Sequence, residues 1–71
     1  MDKFNYANFS HHLRMKQFEL KLNVTKAAKE IGISKATLSR MNREIGTPDI
    51  NSYFLCCKWL KVSMQHYFTL N

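Results

Sequence analysis

Glycine and proline are scarce, with two and one in 71 residues. The chain therefore has no low-complexity tract, no long linker and no glycine-rich loop to cradle a phosphate. Cysteine is also short of a disulfide framework. Cys56 and Cys57 are neighbours in a segment that reads as helix, where adjacent side chains diverge, so they do not bridge one another. Buried, reduced thiols in a cytoplasmic protein are the expectation. No apolar run approaches about 18 residues, so no membrane span is expected. The start "MDKFNYANF" is too polar for the apolar stretch of a secretory leader. His11, His12 and His66 have no zinc-site spacing with each other or with the cysteines, so no metal is expected. No nucleophile stands with its base, and no carboxylate pair is evident. The chain reads as a non-enzyme without cofactor or small-molecule ligand. The last scarcity is acid: five Asp/Glu stand against eleven Lys/Arg, a net charge of +6. Such a balance suits a polyanionic partner, although many small basic proteins bind no nucleic acid.

Helical spacing fills the chain, and its length makes residues 1–71 one domain. Phe9, Leu13 and Leu20 mark a first helix that starts between Asn5 and Ser10. Asn23 is a good N-cap for a second helix over 24–31, with Ala27, Ala28 and Ile31 inward. Gly32 suits a turn that needs positive φ. Ser34 caps a third helix over 35–43. Gly46 and Pro48 interrupt the pattern, and Asp49 opens a fourth helix to about Leu60 with a stripe of Ile50, Tyr53, Cys57 and Leu60. Ser63 caps a short last helix carrying Met64, Tyr67 and Phe68. No segment alternates cleanly enough for a strand. The expected fold is all-α, a five-helix bundle.

The stretch "GISKATLSRMNR", residues 32–43, has three basic residues and no acidic one. Ala28 is small enough for a close helix crossing, Gly32 makes the turn, and Leu38 and Met41 face inward. This is the packing pattern of a helix-turn-helix formed by the second and third helices. It leaves Lys35, Ala36, Ser39 and Arg40 outward, on a helix that fits a DNA major groove about 12 Å wide. Lys35 and Arg40 can donate to guanine, Ser39 can contact either base class, and the Ala36 methyl can meet thymine. Taken singly, Lys35 or Arg40 reads better as part of a solvated face; the whole constellation favours double-stranded DNA. Candidates for phosphate contact are Asn23, Lys26, Ser34, Thr37, Asn42 and Arg43. Lys16, Lys21, Lys29, Lys58 and Lys61 are expected on solvated faces.

With those residues in place, the span from about Phe9 to Phe68 resembles the Cro/repressor-type (Xre-like, lambda-repressor-like) helix-turn-helix domains of bacteria and phages. "GIS…TLSR" followed by Pro48, and then "WLKVS", carry the resemblance. "TKAAKEIGISKATLSR" also looks like the LysR-type winged motif, but Met41 and the short spacing to Pro48 suit the former better. The resemblance implies five helices, operator DNA and a homodimer on a near-palindromic site. Met64, Tyr67, Phe68 and Leu70 of the last helix are the expected dimer contacts. A phage or mobile-element repressor is the leading expectation. A restriction-modification controller is a variant of it, and an antitoxin or other partner-binding module is the alternative. Antitoxins usually carry a further tail, and the chain stops at Asn71.

Several positions depart from that family's pattern. Val24 stands where a phosphate-reaching Gln is usual. Gln17 and Asn42 stand where an Arg–Glu ion pair is common, and read either as a neutral hydrogen-bonded pair or as two independent amides. Glu44 replaces a helix-ending Gly, so the third helix is expected to run slightly long. Ala27 replaces a larger aliphatic residue and leaves space for Phe18 or an aromatic of the fourth helix. Nine of the residues are Phe, Tyr or Trp, more than so small a domain easily buries.

Overall fold

The computed structural model describes residues 2–70, with side chains described for 3–68. Strand β1 (Asp2–Phe4) leads into helices α1 (Tyr6–Glu19), α2 (Val24–Ile31), α3 (Lys35–Asn42) and α4 (Ile50–Leu60), and strand β2 (Phe68–Leu70) closes the chain. No helix among the described residues is long and apolar enough to cross a membrane.

Each helix begins at a short polar side chain. Asn5, Asn23, Ser34 and Asp49 accept from the backbone N–H three residues on, at 3.1, 2.8, 3.1 and 3.0 Å. Each bond satisfies an N–H with no partner inside the helix and is worth about 1 kcal/mol. The helices also end alike. Leu22, Ile33, Ile45 and Val62 donate to carbonyls five residues back, on Gln17, Ala28, Arg40 and Cys57, at 2.9–3.0 Å. The residue enabling each closure is left-handed: Lys21 (φ 56°), Gly32 (φ 96°), Glu44 (φ 57°) and Lys61 (φ 62°). Only Gly32 does this without a Cβ in the way. A third helix running past Glu44 therefore does not form; Glu44 takes the turn that a glycine would take more cheaply.

The core is one cluster. Phe9 and Leu13 from α1, Ala27, Ala28 and Ile31 from α2, Leu38 and Met41 from α3, and Tyr53, Cys56 and Cys57 from α4 are buried together with Tyr67. Three expected core positions lie elsewhere. Leu20 is 48 % exposed and Ile50 73 % exposed, because the buried side of α1 centres on Phe9, Ser10, Leu13 and Gln17 and that of α4 on Ser52, Tyr53, Cys56 and Cys57. Phe18 is 78 % exposed and does not fill the space beside Ala27. Lys16 does not stand free on a solvated face: its ammonium donates to the Trp59 carbonyl and sits 4.8 Å from that ring's centroid. Trp59 Nε1 in turn donates to Glu30 at 3.2 Å, tying α4 to α2.

The expected fifth helix is absent, and two strands are present where none was expected. Residues 64–67 form turns, and β2 pairs antiparallel with β1 in the register Asp2↔Leu70, Lys3↔Thr69, Phe4↔Phe68. A helix of six or so residues is marginal by itself, and "FTL" favours extended backbone. The tertiary contacts of Tyr67 decide the matter. Its ring is 1 % exposed, its hydroxyl lies 2.8 Å from His12 Nδ1, and its carbonyl accepts from Asn5 N at 2.6 Å. An isolated two-stranded ribbon is weak in water; here aromatic packing supports it. Phe4 lies 5.2–5.8 Å, centroid to centroid, from Tyr6, Phe9, Tyr53 and Phe68. Phe9 extends the cluster to Tyr67 at 5.2 Å.

Candidate nucleic-acid interface

α3 is held from two sides. Leu38 and Met41, 0 % and 1 % exposed, lock it against the core. From α1, a polar stripe at positions 10, 14 and 17 takes hold of its last residue. Ser10 Oγ donates to the Asn42 carbonyl at 2.8 Å, and Arg14 Nη1 donates to the same carbonyl at 2.6 Å. A cation on a terminal helix carbonyl also suits the helix dipole. Gln17 Nε2 donates to Asn42 Oδ1 at 2.9 Å, and Asn42 Nδ2 returns a bond to Gln17 Oε1 at 3.3 Å. Of the two readings open for these amides, the hydrogen-bonded pair is the one that forms. Asn42 Oδ1 and one of its two amide hydrogens are thereby engaged, so Asn42 positions α3 and has its second N–H left as a donor. Arg14 and Ser10 carried a signal that sequence reasoning passed over: with Gln17 they are four and three residues apart on one face of a helix.

With that side fixed, Lys35, Ala36, Arg40 and Arg43 are exposed, and Ser39 and Thr37 are half-buried. Ser34 Oγ donates to Thr37 Oγ1 at 2.7 Å, and Arg40 Nη2 approaches the same hydroxyl at 3.5 Å. That long, exposed contact leaves the guanidinium available to another acceptor. Arg43 Nε makes a similarly loose contact with Ser39 O at 3.4 Å. Asn23 and Lys26, at the start of α2, are exposed. Neither α2 nor α3 has an acidic residue in its first turn, and neutral side chains cap both. The partial positive charge at those helix starts is therefore uncompensated and favours an anion.

Tyr6 joins this surface to the aromatic cluster. Its hydroxyl approaches the Ile45 carbonyl at 3.5 Å. Burial first, and then the Glu44 carboxylate, hold that hydroxyl above the usual tyrosine range, while Arg40 acts in the opposite sense.

The four residues expected at a dimer contact separate. Tyr67 is a core residue, 1 % exposed. Met64 is half-buried against the core, and Phe68 is 41 % exposed. The side chain of Leu70 lies outside the described residues. Cys56 and Cys57 are both free and buried. Burial pushes the Cys56 thiol up to about 12 and also raises that of Cys57, so both stay protonated near neutral pH. Among the described residues, no three His, Cys, Asp or Glu side chains gather where a metal could be held. Compared with known proteins, the chain matches no family model, no curated protein and no solved structure.

Proposed function

We propose that this chain is a sequence-specific regulator of transcription that binds double-stranded DNA. α2 and α3 act as a helix-turn-helix, with α3 laid in the major groove. One observation carries the reading: α3 buries Leu38 and Met41 while leaving Lys35, Ala36, Ser39 and Arg40 on its accessible side. In that role Arg40 and Lys35 donate to guanine edges, Ser39 bonds a base, and Ala36 allows close approach. Asn23, Lys26, Ser34, Thr37, Asn42 and Arg43 are the phosphate candidates, supplying affinity without sequence choice. A phage-type repressor of the Cro kind is the specific form that the sequence resemblance suggests. Selection of bound sites from random DNA tests the reading; an enriched motif supports it, and recovery of unenriched DNA removes it.

A second reading has one observation in its favour. Met15 and Phe18, three residues apart on α1, are 43 % and 78 % exposed, as on a module that holds another protein. Phe18→Ser tests it: unchanged DNA recognition with loss of regulation in the cell supports a partner there, and unchanged regulation removes it.

A further inference from the structure

Tyr6, the first residue of α1, lies outside the helix-turn-helix, yet its side chain reaches the end of α3. Its ring is half-buried and packs 5.2 Å from the Phe4 ring and 6.3 Å from that of Phe9, centroid to centroid. Its hydroxyl lies over the loop that leaves α3, 3.5 Å from the Ile45 carbonyl in an exposed setting. A contact that long is weak and yields to a better acceptor. The other two of the three tyrosines differ. Tyr53 and Tyr67 are 6 % and 1 % exposed, and their hydroxyls make short bonds, 2.6 Å to the Met64 carbonyl and 2.8 Å to His12 Nδ1. Charge points to the acceptor that Tyr6 would take. Along the end of α3, Arg40 and Arg43 outnumber Glu44. Burial and Glu44 together outweigh the opposing pull of Arg40, so the hydroxyl keeps its proton and is a donor near neutral pH. A donor set among cations suits an anionic oxygen.

We propose that Tyr6 is a further DNA-contacting residue, its hydroxyl leaving the Ile45 carbonyl to donate to a backbone phosphate at the rim of the groove that α3 enters. The proposal rests on the DNA reading above. In that reading the N-terminal residues of a recognition helix face base edges, so the far end of α3, and Tyr6 with it, faces the backbone. Tyrosine fits the place: its apolar body packs while its polar tip stays wet, and it is among the side chains that bond phosphates. The aromatic N-terminal segment thereby gains a role in binding. Phe4 and Phe9 fix the Tyr6 ring before DNA arrives, so little side-chain freedom is lost on contact.

Tyr6→Phe keeps the ring and deletes the donor. Its affinity should be measured beside that of the wild type on a selected site and on scrambled DNA at several salt concentrations, with thermal unfolding followed by circular dichroism as the control. The variant is expected to bind both DNAs about five- to tenfold more weakly, with an unchanged ratio between them. Its salt slope should equal that of the wild type, because a neutral donor releases no counterion, and its Tm should be little changed. Nitration by tetranitromethane, read by peptide mass, needs no variant and carries the test if Tyr6→Phe is misfolded. Tyr6 should react in the free protein and be protected by DNA, while buried Tyr53 and Tyr67 stay unreactive in both. A folded Tyr6→Phe with wild-type affinity for both DNAs overturns the proposal, and so does equal nitration of Tyr6 with and without DNA. A lowered Tm with unchanged affinity overturns it too, making the hydroxyl a strap for the loop after α3. A loss confined to the selected site overturns the phosphate as acceptor. A wild type that binds neither DNA removes the DNA reading and this contact together. A weaker Tyr6→Phe on DNAs that the wild type does not distinguish upholds the contact and removes sequence-specific reading alone.

Discussion

The α2–α3 pair and the aromatic end are both well packed, but by different means. In the pair, the devices that shape it are local, a cap three residues from its N–H, a glycine at the turn, inward residues three or four apart; only the end of α3 is held from afar, by Ser10, Arg14 and Gln17. Its buried side chains are Ala27, Ala28, Ile31, Leu38 and Met41, small or aliphatic, and the charged groups they leave outward are Lys26, Lys29, Lys35 and Arg40 with a single acid, Glu30. At the aromatic end the determining contacts join positions far apart in sequence: Phe4 with Phe68, His12 with Tyr67, Asn5 with Tyr67. Local chemistry thus shapes a surface for contact, while long-range ring packing closes the core behind it.

Removing a central ring should break the comparison most severely. Phe9 is fully buried and touches the rings of Phe4, Tyr6, Tyr53 and Tyr67. Phe9→Ala should cost about 3–5 kcal/mol, enough in a domain of about 5–15 kcal/mol stability to leave little cooperative thermal transition. A loss under about 1 kcal/mol would show that the aromatic end is peripheral.

Backbone strain sharpens the comparison at a smaller scale. Gly32 and Glu44 make the same left-handed closure at the ends of α2 and α3. A Cβ at Gly32 would meet nothing closer than Leu55 Cδ1 at 4.0 Å, so Gly32→Ala tests backbone conformation alone and should destabilise by about 1 kcal/mol. Glu44→Gly should stabilise by a similar amount, raising Tm by about 4–8 °C. If both changes move Tm the same way, the two closures are not equivalent.

The smallest effect belongs to the joint between α1 and α3. A double-mutant cycle with Gln17→Ala and Asn42→Ala should return a coupling of at least about 0.5 kcal/mol in unfolding free energy. Additive single effects would mean that Ser10 and Arg14 hold α3 without the amide pair.

This contrast explains what could be read from the chain. The limits of α2 and the starts of α3 and α4 follow from Asn23, Gly32, Ser34 and Asp49, because caps and turns act over three or four residues. Leu38 and Met41 were legible as inward for the same reason. The last segment was not. Met64, Tyr67 and Phe68 have helical spacing, but the fate of Tyr67 is decided by His12 and Asn5 on α1 and its cap, which no local pattern reports. Ile50 and Leu20 fit stripes that spacing alone could not rank against Ser52, Cys56 and Gln17. Ser10 and Arg14 were overlooked because a polar stripe on α1 looks solvated until the end of α3 is known to lie on it.

Arg40 offers the most direct test of whether α3 reads bases. Affinities of the wild type, Arg40→Ala and Lys26→Ala should be measured on a selected site and on scrambled DNA at several fixed salt concentrations. The expected result is that Arg40→Ala loses about 1–3 kcal/mol on the selected site and much of its preference over scrambled DNA. Lys26→Ala should weaken both DNAs alike and reduce the salt slope by about one. If Arg40→Ala keeps the wild-type ratio of selected to scrambled affinity, α3 is not the reading helix and the account fails at its centre.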